Sequence, residues 1–194
     1  MKFYLKTTRL EIVPQSLKFL ESTHEYAGDE ETNRYMLYLP SDTIEDTKKF
    51  LLDAEAEWNC SAGIDLLQSF AESGGSERQN QKSFECAVLC GGRHIGGVNI
   101  YIVDEGQKIA ELGWCLNKKA QGYGYAFEAA EALVNWAKEV LGVKCFIAHC
   151  DSENIPSWKT MEKLGMRRVS CTGGRFNKSA PNEERKEFMY EMKI

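Results

Sequence analysis

Hydrophobic and polar residues alternate along the middle of the chain in three consecutive runs. Short turn sequences that contain glycine separate these runs. The pattern predicts an antiparallel meander of three strands, at residues 84–90, 94–103 and 109–116. The Gly96-Gly97 pair inside the second run predicts a β-bulge.

After the meander, apolar residues recur at the spacing of an amphipathic helix. This spacing predicts a helix over residues 126–141, ended by Gly142, and then a strand over residues 143–150. Because a strand, a helix and a second strand form a right-handed crossover, the strands on either side of this helix are expected to pair in parallel. The second half closes with a short helix and two strands, at residues 156–164, 166–171 and 187–194.

The first half of the chain carries weaker signals. It predicts a strand at residues 10–13, a helix at residues 15–26 and a second helix from about residue 43 to residue 58. Thr43 and Asp46 have the spacing of a capping box, and residues 72–81 form a polar, glycine-containing loop. Together these elements predict a single domain over residues 1–194. Its fold class is α/β (α+β), with a mixed, mostly antiparallel central sheet flanked by helices.

Charge and composition exclude several classes of partner. The 194 residues carry a formal net charge of −5, which disfavours a nucleic-acid partner. No apolar run approaches the ~18 residues of a membrane span, and the first ten residues lack the apolar stretch of a signal peptide. We therefore predict a cytoplasmic protein. The seven cysteines include no C-x-x-C pair and the three histidines are far apart, so reduced thiols and no metal site are predicted.

The most distinctive segment is Gln121-Gly122-Tyr123-Gly124-Tyr125-Ala126, which joins a predicted strand to the most regular predicted helix. Glycines and a helix N-terminus together offer several backbone N–H groups to an anion such as pyrophosphate. Lys118 and Lys119 precede the segment and are candidates for contacts with further phosphate charge. A glycine-rich turn without a ligand is the alternative. The absence of G-K-[ST] excludes a P-loop, and the position after an antiparallel meander excludes a dinucleotide-binding fingerprint.

Three motifs in order carry a family resemblance. Residues 121–126 match [Q/R]-x-x-G-x-[G/A], and residues 110–114 (AELGW) resemble the strand before that loop. Residues 154–157 and 162–166 resemble a later N-x-x-S…E-K-L-G-[FM] segment. The chain thereby resembles the GNAT (Gcn5-related) N-acetyltransferases, and within them the ribosomal-protein N-terminal acetyltransferases of the RimJ/RimL type. The resemblance implies a central sheet that is splayed at the cofactor site.

The resemblance also implies acetyl-CoA as the cofactor. The pantetheine arm is expected to lie along the strand end formed by Trp114, Cys115, Leu116 and Asn117. The pyrophosphate is expected on the backbone of Gln121, Gly122, Tyr123, Gly124, Tyr125 and Ala126. Asn154 and Ser157 match positions that bond to the pantetheine or place the thioester.

Direct transfer to an amine requires a base, because an ammonium group has no lone pair. Strand alternation puts Glu111 on one face with small and apolar residues, so Glu111 is the candidate base; a structural or substrate-orienting carboxylate is the alternative. Many family members have a tyrosine acid four residues after the N-x-x-S serine, where this chain has Met161. Ser157, or a water molecule, is the candidate substitute as hydrogen-bond donor. An acyl-cysteine on Cys115 or Cys150 is not needed in a ternary complex.

Three functions remain open at this level. The first is acetyl transfer to a protein N-terminal amine, the second is acetyl transfer to a small-molecule amine, and the third is a non-catalytic acyl-CoA-binding module. The resemblance permits a homodimer. Four residues are candidates for an aromatic wall of the acceptor cleft or, alternatively, for core packing: Tyr35, Met36, Tyr38 and Trp58.

Overall fold

A computed structural model describes residues 3–38, 40–61, 83–178 and 180–194. The polar loop predicted at residues 72–81 lies outside these residues. Within them, no helix is long and apolar enough to cross a membrane. The six cysteines whose side chains are described are all free thiols.

One sheet of eight strands, in the order β1-β2-β3-β4-β5-β6-β8-β7, organises the described residues. The strands are β1 (Leu5–Lys6), β2 (Leu10–Pro14), β3 (Ser83–Cys90), β4 (Arg93–Asp104), β5 (Ile109–Leu116), β6 (Cys145–Asp151), β7 (Arg167–Phe176) and β8 (Glu184–Lys193). The predicted meander is confirmed in β3, β4 and β5, and β5 pairs with β6 in parallel, also as predicted. All other pairs are antiparallel, which confirms the mixed, mostly antiparallel class.

Helices cover the sheet: α1 (Leu20–Ala27), α2 (Glu30–Asn33), α3 (Ile44–Ser61), α4 (Tyr125–Trp136) and α5 (Ile155–Lys163). The predicted first helix differs at its start, where residues 17–19 form a 3-10 turn without a side-chain cap. The capping box is confirmed, since Thr43 and Asp46 exchange side-chain and backbone hydrogen bonds. Helix α4 buries Ala130 and Leu133 against the sheet, and a π-helical turn extends it to residue 141.

The last two strands are longer than the sequence predicts. Residues 172–176 extend β7 and residues 184–186 extend β8, because cross-strand pairing reaches Arg175 opposite Arg185 and Phe176 opposite Glu184. Most of β7 is exposed to solvent, so its sequence lacks the apolar alternation that would have predicted this extension.

The predicted bulge lies where β4 approaches the end of β5. Val88 faces Gly96 whereas Leu89 faces His94, so Ile95 is the additional residue. Gly96 has φ of +147°, and a Cβ atom there would lie 2.6 Å from the Leu116 Cα atom. The absence of a side chain at Gly96 therefore allows β4 to remain paired with β5 as far as Leu116.

We predict that Gly96→Ala destabilises the fold by about 2–3 kcal/mol, because backbone strain and overlap with the β5 backbone add together. Gly91→Ala is the matched control: Gly91 has φ of +57° but no atom within 4 Å of its Cβ position. The control should lose only about 1 kcal/mol. Urea unfolding of both variants measures the difference, and equal losses would show that the close approach to β5 is unimportant.

Candidate active site

Strands β5 and β6 pair over three residues only and then separate. Their register ends at Glu111 opposite Ile147, whereas the other edge of β5 stays paired with β4 as far as Leu116. Beyond Glu111, the β6-facing edge of β5 has no strand partner among the described residues. The residues predicted to hold the pantetheine arm, Trp114, Cys115, Leu116 and Asn117, lie along this open edge or directly after it.

The glycine loop leads directly into α4 and leaves its first turn uncapped. Gly122 and Gly124 have φ of +83° and +80°, and Gly124, the N-cap residue, makes no side-chain capping bond. No atom lies within 4 Å of a Cβ placed on Gly122, so the surface there is open. Free N–H groups at a helix N-terminus, beside an open glycine backbone, suit a phosphate group. The loop therefore fits the anion for which the sequence proposes it.

Several of the predicted site residues have side chains that already serve the fold. The Gln121 side chain donates to the Leu116 carbonyl at 2.9 Å, and the Asn117 side chain accepts from the backbone N–H of Lys119 at 3.0 Å. Backbone contacts engage the N–H groups of both residues as well: that of Gln121 donates to the Lys118 carbonyl at 3.2 Å, and that of Asn117 donates to the Ile95 carbonyl at 2.9 Å. They also fix the path of the chain from β5 into the loop.

The structure does not place Lys118 and Lys119 as free phosphate ligands. Lys118 pairs with Glu31 of α2, and Lys119 pairs with Glu25 of α1 at 2.9 Å. Both lysines therefore join the start of the loop to the first two helices.

A hydrogen bond between Glu111 and His149 spans the point where the two strands separate. Glu111 Oε1 and His149 Nδ1 are 2.9 Å apart, and the two side chains are 38% and 31% exposed. Alternation along β5 is confirmed, because Ala110 and Leu112 are buried whereas Glu111 is reachable from solvent. The hydrogen bond and charge of Glu111 raise the pKa of His149 against the opposing effect of burial. Two titratable side chains are therefore hydrogen-bonded to each other at the point where the strands separate.

Asn154, Ser157 and Cys150 lie on the other side of the opening. Asn154 caps α5 by accepting from the Ser157 N–H at 3.3 Å. The Ser157 hydroxyl is hydrogen-bonded to the Cys150 thiol, whose pKa burial nonetheless raises to about 11. Met161 is 1% exposed and belongs to the core, so its side chain is not available to a leaving group.

Comparison with known proteins decides the family. The acetyltransferase (GNAT) domain pattern matches residues 9–167 of this chain. The chain belongs to the GNAT acetyltransferase family. An uncharacterized N-acetyltransferase of Bacillus subtilis (strain 168), YnaD, is 30% identical over 191 residues, which are 96% of this chain and 95% of YnaD. This GNAT protein is accordingly an acyltransferase.

Solved structures agree with the GNAT fold. A GNAT acetyltransferase of Bacillus anthracis is 28% identical, with a TM-score of 0.72 and 98% coverage of both chains. RimL, a ribosomal alpha-N-protein acetyltransferase solved in complex with coenzyme A, is 14% identical with a TM-score of 0.78, covering 99% of this chain and 98% of RimL. At this identity the RimL likeness concerns the fold alone.

A buried charged network lies at the end of β6, beside the candidate site. Asp151, at the end of β6, is 0% exposed and accepts from Asn177 Nδ2 at 2.7 Å and from the Glu153 N–H at 2.9 Å. The Nε atoms of Arg175 and Arg185 lie 3.9 and 3.8 Å from its Oδ2. Two cations compensate this buried carboxylate and thereby hold the end of β6 against β7 and β8.

A cavity of about 330 Å³ opens beside this network. Its lining combines apolar, polar and charged side chains: Leu37, Thr172, Gly173, Gly174, Arg175, Phe176 and Glu187. Arg175 donates to the Tyr35 carbonyl at 2.9 Å and pairs with Glu187. Glu187, which lines the cavity, also contributes to the raised pKa of His149.

The four residues considered for an aromatic wall divide between the two alternatives. Trp58 is 7% exposed, packs on Phe84 and belongs to the core. Tyr35 instead lies against the cavity network, with the Arg185 guanidinium 5.6 Å from its ring. Tyr38 is 52% exposed and Met36 is partly buried, so neither residue is part of the fully buried core.

Sequence reasoning missed His149 and Arg9. His149 lies in an apolar run, and its proximity to Glu111 depends on the parallel register of β5 and β6. Arg9 contacts the glycine loop across more than a hundred residues of sequence, because its guanidinium donates to the Tyr123 carbonyl at 3.0 Å. Pattern analysis of a single sequence carries no signal for such distant contacts.

We predict that His149 titrates above its ordinary pKa of about 6.5 and that Glu111→Gln lowers the value. Since the folded-state pKa is raised, the pair stabilises the fold at pH below about 6.5 and this stabilisation is lost as pH rises through the folded-state pKa. NMR titration of the imidazole protons measures the shift. An unchanged pKa in the variant would contradict the pairing.

Proposed function

We propose that this protein is an acetyl-CoA-dependent N-acetyltransferase that transfers an acetyl group to a primary amine in a ternary complex. One observation carries the proposal. The uncapped N-terminus of α4 and the Glu111–His149 pair lie at opposite ends of the same open edge of β5. An anion site and a proton acceptor are thus separated by a length of β5 whose β6-facing edge has no strand partner among the described residues.

The chain offers a continuous surface for the donor. Backbone N–H groups of residues 122–126 hold the pyrophosphate, and the open edge at Trp114, Cys115 and Leu116 pairs with the amides of the arm. The backbone bonds of Gln121 and Asn117 stay within the chain and fix the path between these two surfaces. Asn154 and Ser157 border the thioester end from α5. Bound acetyl-CoA supplies the acetyl group as an activated thioester.

The Glu111–His149 pair accepts the proton that the attacking amine must lose, directly or through one water molecule. Ser157 supplies a hydrogen bond toward the departing sulfur, in place of the tyrosine that Met161 replaces. Burial raises the pKa of Cys115 to about 12 and that of Cys150 to about 11. Both thiols therefore stay protonated near neutral pH, which favours direct transfer over an acyl-cysteine step.

The acceptor enters from the cavity lined by Leu37, Phe176 and Glu187. By analogy with RimL, whose fold this chain shares, we favour the RimJ/RimL-type branch and a protein N-terminal amine as acceptor. A small-molecule amine is the second candidate, favoured by the limited cavity volume of about 330 Å³. A non-catalytic acyl-CoA-binding module remains the alternative, because Met161 occupies the position of the usual acid.

Thiol release from acetyl-CoA tests the proposal. The protein should release free CoA with at least one member of a panel of N-terminal peptides and small primary amines. CoA binding, measured by calorimetry, without turnover on any amine would favour the binding module. The absence of CoA binding would refute the cofactor assignment itself.

We predict that Glu111→Gln lowers kcat/KM by roughly 100-fold or more, because general-base catalysis contributes about 10²–10⁴-fold. His149→Gln should cause a similar loss, and the double variant should lose little beyond either single variant, since the pair acts as a unit. Rates across pH 6–9 measure these effects. A Glu111→Gln enzyme with full rate at every pH would eliminate Glu111 as part of the base.

We predict that Gly124→Trp abolishes CoA binding, because the indole would fill the surface at the N-terminus of α4. Gly142→Trp is the matched control: Gly142 has φ of +64°, has open space around it and follows the other end of the same helical segment. Both variants carry similar backbone strain, so only the first should lose CoA affinity in calorimetry. Retained binding by Gly124→Trp would contradict the placement of the pyrophosphate.

A further inference from the structure

Arg9, which lies just before β2, contacts both the glycine loop and the first turn of α4. Its guanidinium donates to the Tyr123 carbonyl at 3.0 Å through Nη1 and to Glu128 Oε2 at 2.7 Å through Nε. The guanidinium carbon lies 4.6 Å from the centre of the Tyr125 ring. Arg9 thus touches the loop on both sides of Gly124 and the first turn of α4.

Glu128 holds Arg9 in this position. Glu128 Oε1 accepts from the Thr7 hydroxyl at 2.5 Å and from the Arg9 backbone N–H at 2.9 Å, whereas Oε2 accepts from the guanidinium. Burial opposes ionisation of Glu128, but the hydrogen bonds from Thr7 and Arg9 outweigh it and lower its pKa. The carboxylate therefore remains charged at neutral pH, and it ties the residues just before β2 to α4.

The contact with Tyr123 has a consequence for the loop. In a trans peptide, the C=O and N–H groups point in opposite directions. By binding the Tyr123 carbonyl, Arg9 turns the N–H of Gly124 away from itself. Gly122 and Gly124 have little intrinsic conformational preference, and the Tyr123 side chain is 63% exposed. Arg9 consequently fixes the orientation of the peptide group between Tyr123 and Gly124, which the loop's own residues do not determine.

We propose that Arg9 is a positioning residue for the acetyl-CoA pyrophosphate, and that Glu128 is the partner that keeps it in place. This inference rests on the proposed function, since it concerns the same anion site. Arg9 acts through the loop backbone and not as a phosphate ligand, because Glu128 already engages its charge at 2.6 Å.

Calorimetric CoA binding by single variants tests this role. Arg9→Gln and Glu128→Gln should each weaken CoA binding by roughly tenfold, as expected for the loss of a charge-assisted hydrogen bond, and the double variant should be no more than about twofold weaker than either. Lys193→Gln is the matched control, since it removes one positive charge from another ion pair, with Glu191 at 3.2 Å on β8. The control should change affinity less than about twofold.

The sign of the Glu128→Gln effect separates positioning from direct binding. If Arg9 were a phosphate ligand, releasing it from Glu128 would strengthen CoA binding, and that result would overturn the proposal. Equal weakening by Lys193→Gln would also overturn it, because net charge alone would then be responsible. Arg9→Lys keeps the charge but lacks the planar guanidinium group. Full wild-type affinity for CoA in this variant would also overturn the proposal.

Kinetics give an independent readout that a general loss of stability would not produce. With any amine that the wild type acetylates, Arg9→Gln should raise the KM for acetyl-CoA roughly tenfold and leave the KM for the amine unchanged. An equal rise in both values would contradict a role at the pyrophosphate. Failure of the wild type to bind CoA would refute the proposed function, whereas a wild type that binds, with unaffected variants, would refute only the role of Arg9.

Discussion

The parallel pairing of β5 with β6 ends after three residues, and the rest of the site depends on that limit. Continued pairing would close the backbone edge of residues 112–117 and would bring Cys150 against β5. The strands separate while each remains firmly paired on its other side, β5 with β4 and β6 with β8. The opening therefore lies within a continuous sheet, and the hydrogen bonds between β4 and β5 and between β6 and β8 are kept.

Two different interactions hold the opening from its two sides. On the β5 side, Gly96 and Gly113 have no side chains, so the β4 backbone and the Asn99 side chain lie directly against β5. On the β6 side, the buried carboxylate of Asp151 binds Asn177 and lies between two arginines from β7 and β8. Close packing of the backbone thus holds β5 against β4, and a buried, charge-compensated carboxylate holds the end of β6 in place.

The sequence predicts the parts of the site that lie within one local pattern. Strand alternation correctly placed Glu111 on the accessible face, and two glycines before an amphipathic helix indicated the uncapped loop. His149 and Arg9 were missed because a parallel register and a contact across 114 residues bring them into place. Arg175 was missed for another reason: the polar, glycine-containing end of β7 has the composition of a loop although it is paired with β8.

The bond from Arg175 to the Tyr35 carbonyl joins positions 140 residues apart. During synthesis on the ribosome, the glycine loop and helix α4 are complete well before Arg175 is added to the chain. The cavity beside Leu37 can therefore form only after the β7–β8 hairpin has been synthesised, because residues 172–176 and Glu187 complete its lining. Substitutions in that hairpin would alter the lining of the cavity without changing any residue of the glycine loop or of the open edge of β5.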